Sequence, residues 1–70
     1  MIERHLAQAE QHVALGEEHV ARQREIVTEL RERGGAIEQA IQLLGTYEHM
    51  QTAHVADRDR LRRELAALDA

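Results

Sequence analysis

The stretch "RERGGAIEQ", residues 31–39, predicts where one helix ends and the next begins. Its adjacent glycines, Gly34 and Gly35, follow two arginines, and cations are favoured near the C-terminus of a helix. A glycine just past a helix end can take the left-handed conformation without steric cost. A glutamate then falls in the first turn of the next segment, where a carboxylate is favoured. The stretch therefore predicts a helix at about 2–33, a tight turn at the two glycines, and a helix at about 36–68.

The composition is that of a helical chain with one small core. The 70 residues include no proline, cysteine, phenylalanine or tryptophan, and Tyr47 is the only aromatic residue. Ala, Leu, Glu, Gln and Arg dominate, and all five are good helix formers. The absence of cysteine excludes disulfides and thiolate metal sites. We therefore expect an all-α protein, an antiparallel two-helix hairpin with coiled-coil-like packing, in a single domain that spans 1–70.

The first helix repeats every seven residues. One column of the heptad is aliphatic and a second is mostly small or apolar, which makes a seam for a partner helix. A charged column flanks the seam on one side and a column of histidines flanks it on the other. Small residues within the seam predict a close approach of the partner. Position a holds Leu6, Val13, Val20 and Val27; position d holds Ile2, Ala9, Gly16, Gln23 and Leu30; position e holds Glu3, Glu10, Glu17, Arg24 and Arg31; and position g holds His5, His12, His19 and Ile26.

The second helix has a less regular apolar stripe with 3–4 spacing. Gln51 and Arg58 interrupt the stripe where an apolar residue is expected. Arg58 is expected to pair with a carboxylate or to help fix the register of an interface. Gly45 within the stripe costs about 1 kcal/mol relative to alanine, so it indicates a close contact or a bend. The stripe consists of Ile37, Ala40, Ile41, Leu44, Tyr47, Met50, His54, Val55, Leu61, Leu65 and Leu68.

The tight turn predicts an antiparallel register as well. In that register Gly16 lies opposite Ala53 and His54, and Gln23 meets Tyr47. The alternative is one continuous helix, because position d stays in phase across the glycines. Two adjacent glycines and the shifted stripe of the second helix favour the hairpin.

Two helices cannot enclose a core, because each apolar stripe stays open on one side. The simplest remedy is self-association of two hairpins into a four-helix bundle. We therefore expect a homo-oligomer, most simply a dimer. The candidate oligomer interface consists of Leu6, Ala9, Val13, Gly16, Val20, Gln23, Val27, Leu44, Tyr47, Gln51, His54, Arg58, Leu61 and Leu65.

The histidines of the first helix do not predict a metal site within that helix. His5, His12 and His19 fall seven residues apart, so successive imidazoles lie about 10.5 Å apart along the axis. A metal ion needs its ligand nitrogens within about 2.1 Å, so these three cannot share one ion. The pattern favours histidines that bond to neighbouring Glu or Gln, and no cofactor is predicted. A metal site formed between helices is the alternative, and its candidate ligands are His12, His19, His54 and Asp57.

The segment "DRDRLRRE", residues 57–64, is the candidate contact for nucleic acid. Acidic residues alternate with its arginines, and the chain as a whole has a net charge of −4. Such a chain lacks the positive field that favours nucleic acid or anionic membranes. A solvated, salt-bridged helix face is the favoured interpretation. The arginines concerned are Arg58, Arg60, Arg62 and Arg63.

Enzymatic groups are present but do not form a recognisable set. There is no serine or cysteine, and the three threonines belong to no evident triad. Glycine-rich phosphate loops are absent, and a hairpin offers little concave space for a substrate. We therefore expect no enzymatic activity. No apolar run is long enough for a membrane span and no signal peptide is visible, so the expected location is cytoplasmic.

Two resemblances accompany these patterns. The stretches "AEQHVALGEEHVARQREIV" (9–27), "LL" (43–44) and "RDRLRREL" (58–65) resemble short uncharacterised proteobacterial helical-hairpin proteins. That resemblance implies a bacterial cytosolic protein and brings no catalytic residues with it. In that group a polar helix cap follows the glycine, whereas this chain has Ala36, which leaves the start of the second helix open. The topology also resembles the plasmid RNA-binding regulator Rop, but that family binds RNA with lysines and a phenylalanine, which this chain lacks.

The expected function is therefore a non-enzymatic, self-associating hairpin that acts through protein–protein contacts, as an adaptor, a regulator or an assembly module. One alternative is a hairpin dimer that binds RNA or DNA through the arginines of residues 58–63. The other is a bundle that binds metal through histidines of different subunits or responds to pH, since histidine is the side chain that titrates near neutrality.

Overall fold

A computed structural model of the chain, which describes residues 1–69, shows two long helices packed against each other. Helix α1 spans Ile2–Glu32 and helix α2 spans Glu38–Asp69. The molecule measures 55 × 15 × 14 Å, and its long dimension is about the length of one such helix. The predicted all-α hairpin is confirmed, and the alternative of one continuous helix is wrong.

The glycine pair ends α1 in the way that the sequence predicts. Gly34 has a φ of 71°, which is the left-handed conformation that glycine adopts without strain. The backbone N–H of Gly35 donates to the carbonyl of Leu30 at 2.9 Å, and that of Gly34 donates to the carbonyl of Arg31 at 3.3 Å. These two bonds form a Schellman motif, which satisfies carbonyls that the helix end leaves without a partner.

Helix α2 begins at Glu38, two residues later than expected. Neither Ala36 nor Ile37 has a side-chain oxygen that could cap a helix, so no side chain there favours an earlier start. The helical bonds begin instead with the N–H of Ile41, which donates to the carbonyl of Ile37 at 2.9 Å. The connection between the helices is therefore the five residues 33–37 rather than two glycines.

The core is a thin seam between the helices. Helix α1 contributes most of it, because positions a and d of the heptad face α2. Among the described residues, no side chain is completely buried. The buried apolar residues are Ala9, Val13, Val20, Val27 and Leu61.

The register of the two helices differs from the expected one by about one helical turn. Tyr47 stacks on His19, not on Gln23, and Gly16 faces Gln51. His54 lies beside His12. The longer connection accounts for the shift, because a non-helical residue advances up to about 3.3 Å whereas a helical residue advances 1.5 Å. Residues 35–37 precede α2 and are not helical. They therefore place the start of α2 closer to the N-terminus of α1 than expected.

Candidate interaction surface: the histidine side of the hairpin

A groove on one long side of the hairpin collects most of the imidazoles. Its volume is about 300 Å³, and its lining includes no aspartate, glutamate or arginine. We call it the histidine groove, and we call the face around it the histidine side. The groove is lined by His12, Leu15, Gly16, His19, Tyr47, Met50, Gln51 and His54.

Two pairs of rings bridge the helices within the groove. The ring centres of His12 and His54 are 5.2 Å apart, with an interplanar angle of 50°. His19 stacks on Tyr47 at 5.5 Å, with an angle of 19°. Position g of α1 comes every seven residues, so two histidines one heptad apart each meet a ring of α2. Of the pairings that the sequence left open, His12 with His54 is the one that the structure brings together.

Gly16 and Gln51 form the floor of the groove. The Gln51 side chain crosses the seam and donates from Nε2 to the carbonyl of Val13 at 2.9 Å. Its Oε1 is buried without a hydrogen-bond partner and lies where a Cβ of residue 16 would stand. This oxygen therefore faces the α-hydrogen of Gly16, a weak contact that only glycine leaves room for. The close approach predicted at Gly16 is thus a side chain from α2 against the backbone of α1.

A second glutamine makes the reciprocal contact further along the seam. Gln23 of α1 is only 5% exposed, and its Nε2 donates to the carbonyl of Ala40 in α2 at 2.9 Å. Each helix thus sends one amide into the main chain of the other. Hydrogen bonds of this kind are made in one register only, because a buried amide left without its acceptor costs about 1–3 kcal/mol.

The opposite long side of the hairpin is charged. Arg24 pairs with Glu48 at 3.1 Å, and Arg62 pairs with Glu10 at 3.2 Å, both across the two helices. A groove beside the first pair is lined by Arg24 and Glu48 together with Glu17, Val20, Ala21, Gln51 and Thr52. We call this face the charged side. It corresponds to position e of α1, as the histidine side corresponds to position g.

The predicted oligomer interface divides into two groups in the structure. Six of its residues are buried by the facing helix of the same chain, namely Ala9, Val13, Val20, Gln23, Val27 and Leu61. The other eight are partly exposed, namely Leu6, Gly16, Leu44, Tyr47, Gln51, His54, Arg58 and Leu65. Of the predicted interface residues, only the second group therefore lies at the surface of the single chain.

Two apolar residues of the histidine side lie outside the predicted interface. Leu15 is 46% exposed and Met50 is 48% exposed, and both line the histidine groove. Leu15 lies outside positions a and d, so the heptad does not single it out. Met50 belongs to the apolar stripe of α2, and that stripe is the signal that identifies it.

The remaining metal candidates do not converge. Within the part of the chain that the structure describes, no three His, Cys, Asp or Glu side chains are placed to hold a metal ion. Asp57 is bound by Arg60 at 2.6 Å, and His19 is stacked on Tyr47. Of the four candidates, only His12 and His54 face each other.

Three of the four arginines in residues 57–64, namely Arg58, Arg60 and Arg62, contact carboxylates. Arg58 pairs with Asp59 at 3.0 Å, which confirms the carboxylate partner expected for it. Arg60 contacts Asp57 and Glu64, and these hydrogen bonds raise the pKa of its guanidinium above the usual value. Neighbouring acidic side chains thus offset the positive charge that would attract the phosphates of a nucleic acid.

The comparisons with known proteins identify no family for this chain. No protein-family model, no curated protein and no solved structure matches it. The observed fold agrees with the two resemblances in being a two-helix antiparallel hairpin. The relationship to proteobacterial hairpin proteins stays a prediction. Neither helix, over residues 1–69, has a stretch long and apolar enough to cross a bilayer.

Proposed function

We propose that the chain is a non-enzymatic, self-associating helical hairpin, and that a second copy covers its histidine side. The resulting dimer is a four-helix bundle that acts through protein–protein contacts, as an adaptor, a regulator or an assembly module. The observation that carries this proposal is the open apolar lining of the histidine groove. Leu15 and Met50 are about half exposed there, and the partly buried Tyr47 lines the same groove.

The thin core of one hairpin supports association. Among residues 1–69, only five apolar side chains are buried, and a single core in a chain of this size supplies little net stability. The chain has no disulfide to compensate. Burial of further apolar surface between copies contributes about 25 cal/mol for each Å² removed from water, and the histidine side is where such surface is available.

The position and charge of the groove favour a second copy as the occupant. The groove lies near the middle of both helices, because its lining residues run from His12 to His19 on α1 and from Tyr47 to His54 on α2. A two-fold axis at this point lets two 55 Å hairpins overlap along most of their length. The groove lining carries no carboxylate, so the middle of such an interface between two chains of net charge −4 contains no acidic side chain from the groove.

The solution mass tests this proposal. Light scattering or sedimentation of the wild-type chain is expected to give the mass of two chains. Met50→Glu places a carboxylate in the apolar lining, so it is expected to shift the mass toward one chain while the helical circular-dichroism spectrum is kept. Ala21→Glu is the matched control, because Ala21 is exposed on the charged side.

The outcomes separate the two sides. A wild-type mass of one chain at all concentrations contradicts the proposal. A dimer that survives Met50→Glu but dissociates with Ala21→Glu shows that copies meet through the charged side instead.

A further inference from the structure

We propose that His12 and His54 form a two-histidine site for a divalent transition metal, which connects the two helices of one chain. The two residues are 42 positions apart along the sequence, and the hairpin places their ring centres 5.2 Å apart. Both line the same groove, which is open in the single chain, so an ion from solution can reach the space between them in the monomer.

The separation of the rings is that of two imidazoles on one ion. Zinc binds histidine nitrogen at about 2.0–2.1 Å with tetrahedral angles, which puts the centres of two coordinated rings about 5 Å apart. The observed 5.2 Å meets this condition. The heptad spacing that keeps His5, His12 and His19 from sharing an ion does not apply here, because the two ligands come from different helices.

The ligand type selects the class of metal. Imidazole suits zinc, copper and nickel, whereas magnesium and calcium require oxygen ligands. Asp57 does not complete the site, because Arg60 holds its carboxylate. Two protein ligands leave coordination positions for water, so the site differs from the four-ligand sites that hold structural zinc.

The surroundings hold the two helices together at the site. Gln51 and Gly16 lie beneath the same groove, and the bond from Gln51 to the carbonyl of Val13 fixes α2 against α1 at this point. A pair of ligands on rigid helices loses less freedom on binding a metal than a pair on loops. Because the ion binds the folded hairpin and joins its helices, it stabilises the folded state.

Thermal unfolding in the presence of zinc tests the inference. Excess zinc or nickel is expected to raise the melting temperature of the wild-type chain, whereas magnesium is expected to leave it unchanged. His12→Ala and His54→Ala are each expected to abolish the shift. His49→Ala is the matched control, because His49 lies on the same helix as His54, is exposed and does not line the groove. It is expected to keep the full shift.

A second measurement locates the ion. Substoichiometric copper(II) or nickel(II) is expected to broaden the NMR signals of the His12 and His54 rings before those of His5 or His49. A wild-type chain with no metal-dependent shift overturns the inference. So does a shift that survives both groove variants, or broadening that begins at another histidine.

This site does not depend on the proposed dimer, since both ligands belong to one chain. A chain that is monomeric without metal but shows the zinc shift contradicts the proposed function and supports the metal site. A dimer without the shift does the reverse.

Discussion

The two long sides of the hairpin are built from the same two helices but present different chemistry. On the histidine side, imidazoles, Tyr47 and partly exposed aliphatic residues form a groove without carboxylates. On the charged side, Arg24 and Arg62 reach across the seam to glutamates. The difference follows from the heptad, because position g of α1 holds histidines where position e holds charges. A helix face with ion pairs is well solvated, whereas a face with partly exposed apolar side chains is typical of an interaction surface.

The seam between these two sides contains the contacts that stabilise the hairpin and fix its register. Buried valines supply apolar contact that is not specific to one register, and the two glutamines supply hydrogen bonds that are. We therefore expect changes in the seam beneath the histidine groove to have the largest effects on the free energy of unfolding. Changes on the charged side have small ones.

Gly16→Leu is expected to have the largest effect. A side chain at this position meets the buried amide of Gln51, and overpacking of this kind costs about 1–3 kcal/mol. Chemical denaturation followed by circular dichroism measures the loss. Gly45→Leu is the matched control, since a Cβ at Gly45 meets nothing within 4 Å. It is expected to stabilise by up to about 1 kcal/mol, because leucine is the better helix former. Equal losses for both variants would contradict the close contact at Gly16.

The two glutamines are expected to differ when each is replaced by methionine, which has a similar length. Gln23→Met removes a hydrogen bond to Ala40 and is expected to cost about 1 kcal/mol. Gln51→Met removes a comparable bond but also removes a buried oxygen that has no partner, so its cost is expected to be smaller. Denaturation midpoints of the two variants measure the difference. A larger loss for Gln51→Met would show that its oxygen is satisfied in solution.

The ion pair between Arg24 and Glu48 is expected to contribute little. Both side chains are about half exposed or more, and the coupling energy of such pairs is about 0.2–1 kcal/mol. A double-mutant cycle with Arg24→Gln and Glu48→Gln measures the coupling, which is expected to fall further in high salt. A coupling well above this range would mean that the charged side is covered in solution.

The smallest effect is expected at the start of α1, away from both sides. The backbone N–H of Glu3 and then the amino group of Met1 lower the pKa of the Glu3 carboxyl below its ordinary value. A lowered pKa in the folded state stabilises the fold above the unfolded pKa, and this contribution is lost as the pH falls through the folded pKa. NMR titration of the Glu3 carboxyl is expected to give a midpoint below the ordinary value for glutamate. N-terminal acetylation is expected to reduce the shift without abolishing it, because the backbone hydrogen bond remains.

The helices and the end of α1 could be predicted because their signals are local. Gly34 and Gly35 predict where α1 ends, and the Schellman bonds satisfy that prediction. The start of α2 could not be placed in the same way, since Ala36 and Ile37 carry no capping group. Leu15 was missed as a surface residue of the groove because it lies outside positions a and d.

Which side chains share a face of each helix follows from the amino-acid sequence alone. That information depends only on the helical period, so the histidine column and the charged column of α1 can be read directly. Which residues meet across the seam is evident only from the folded hairpin, because the register depends on the path of residues 33–37. That path moved α2 by about one turn from the expected register. It brought His54 to His12 and Gln51 to Gly16, and the groove proposed for metal and for a second copy exists because of these contacts.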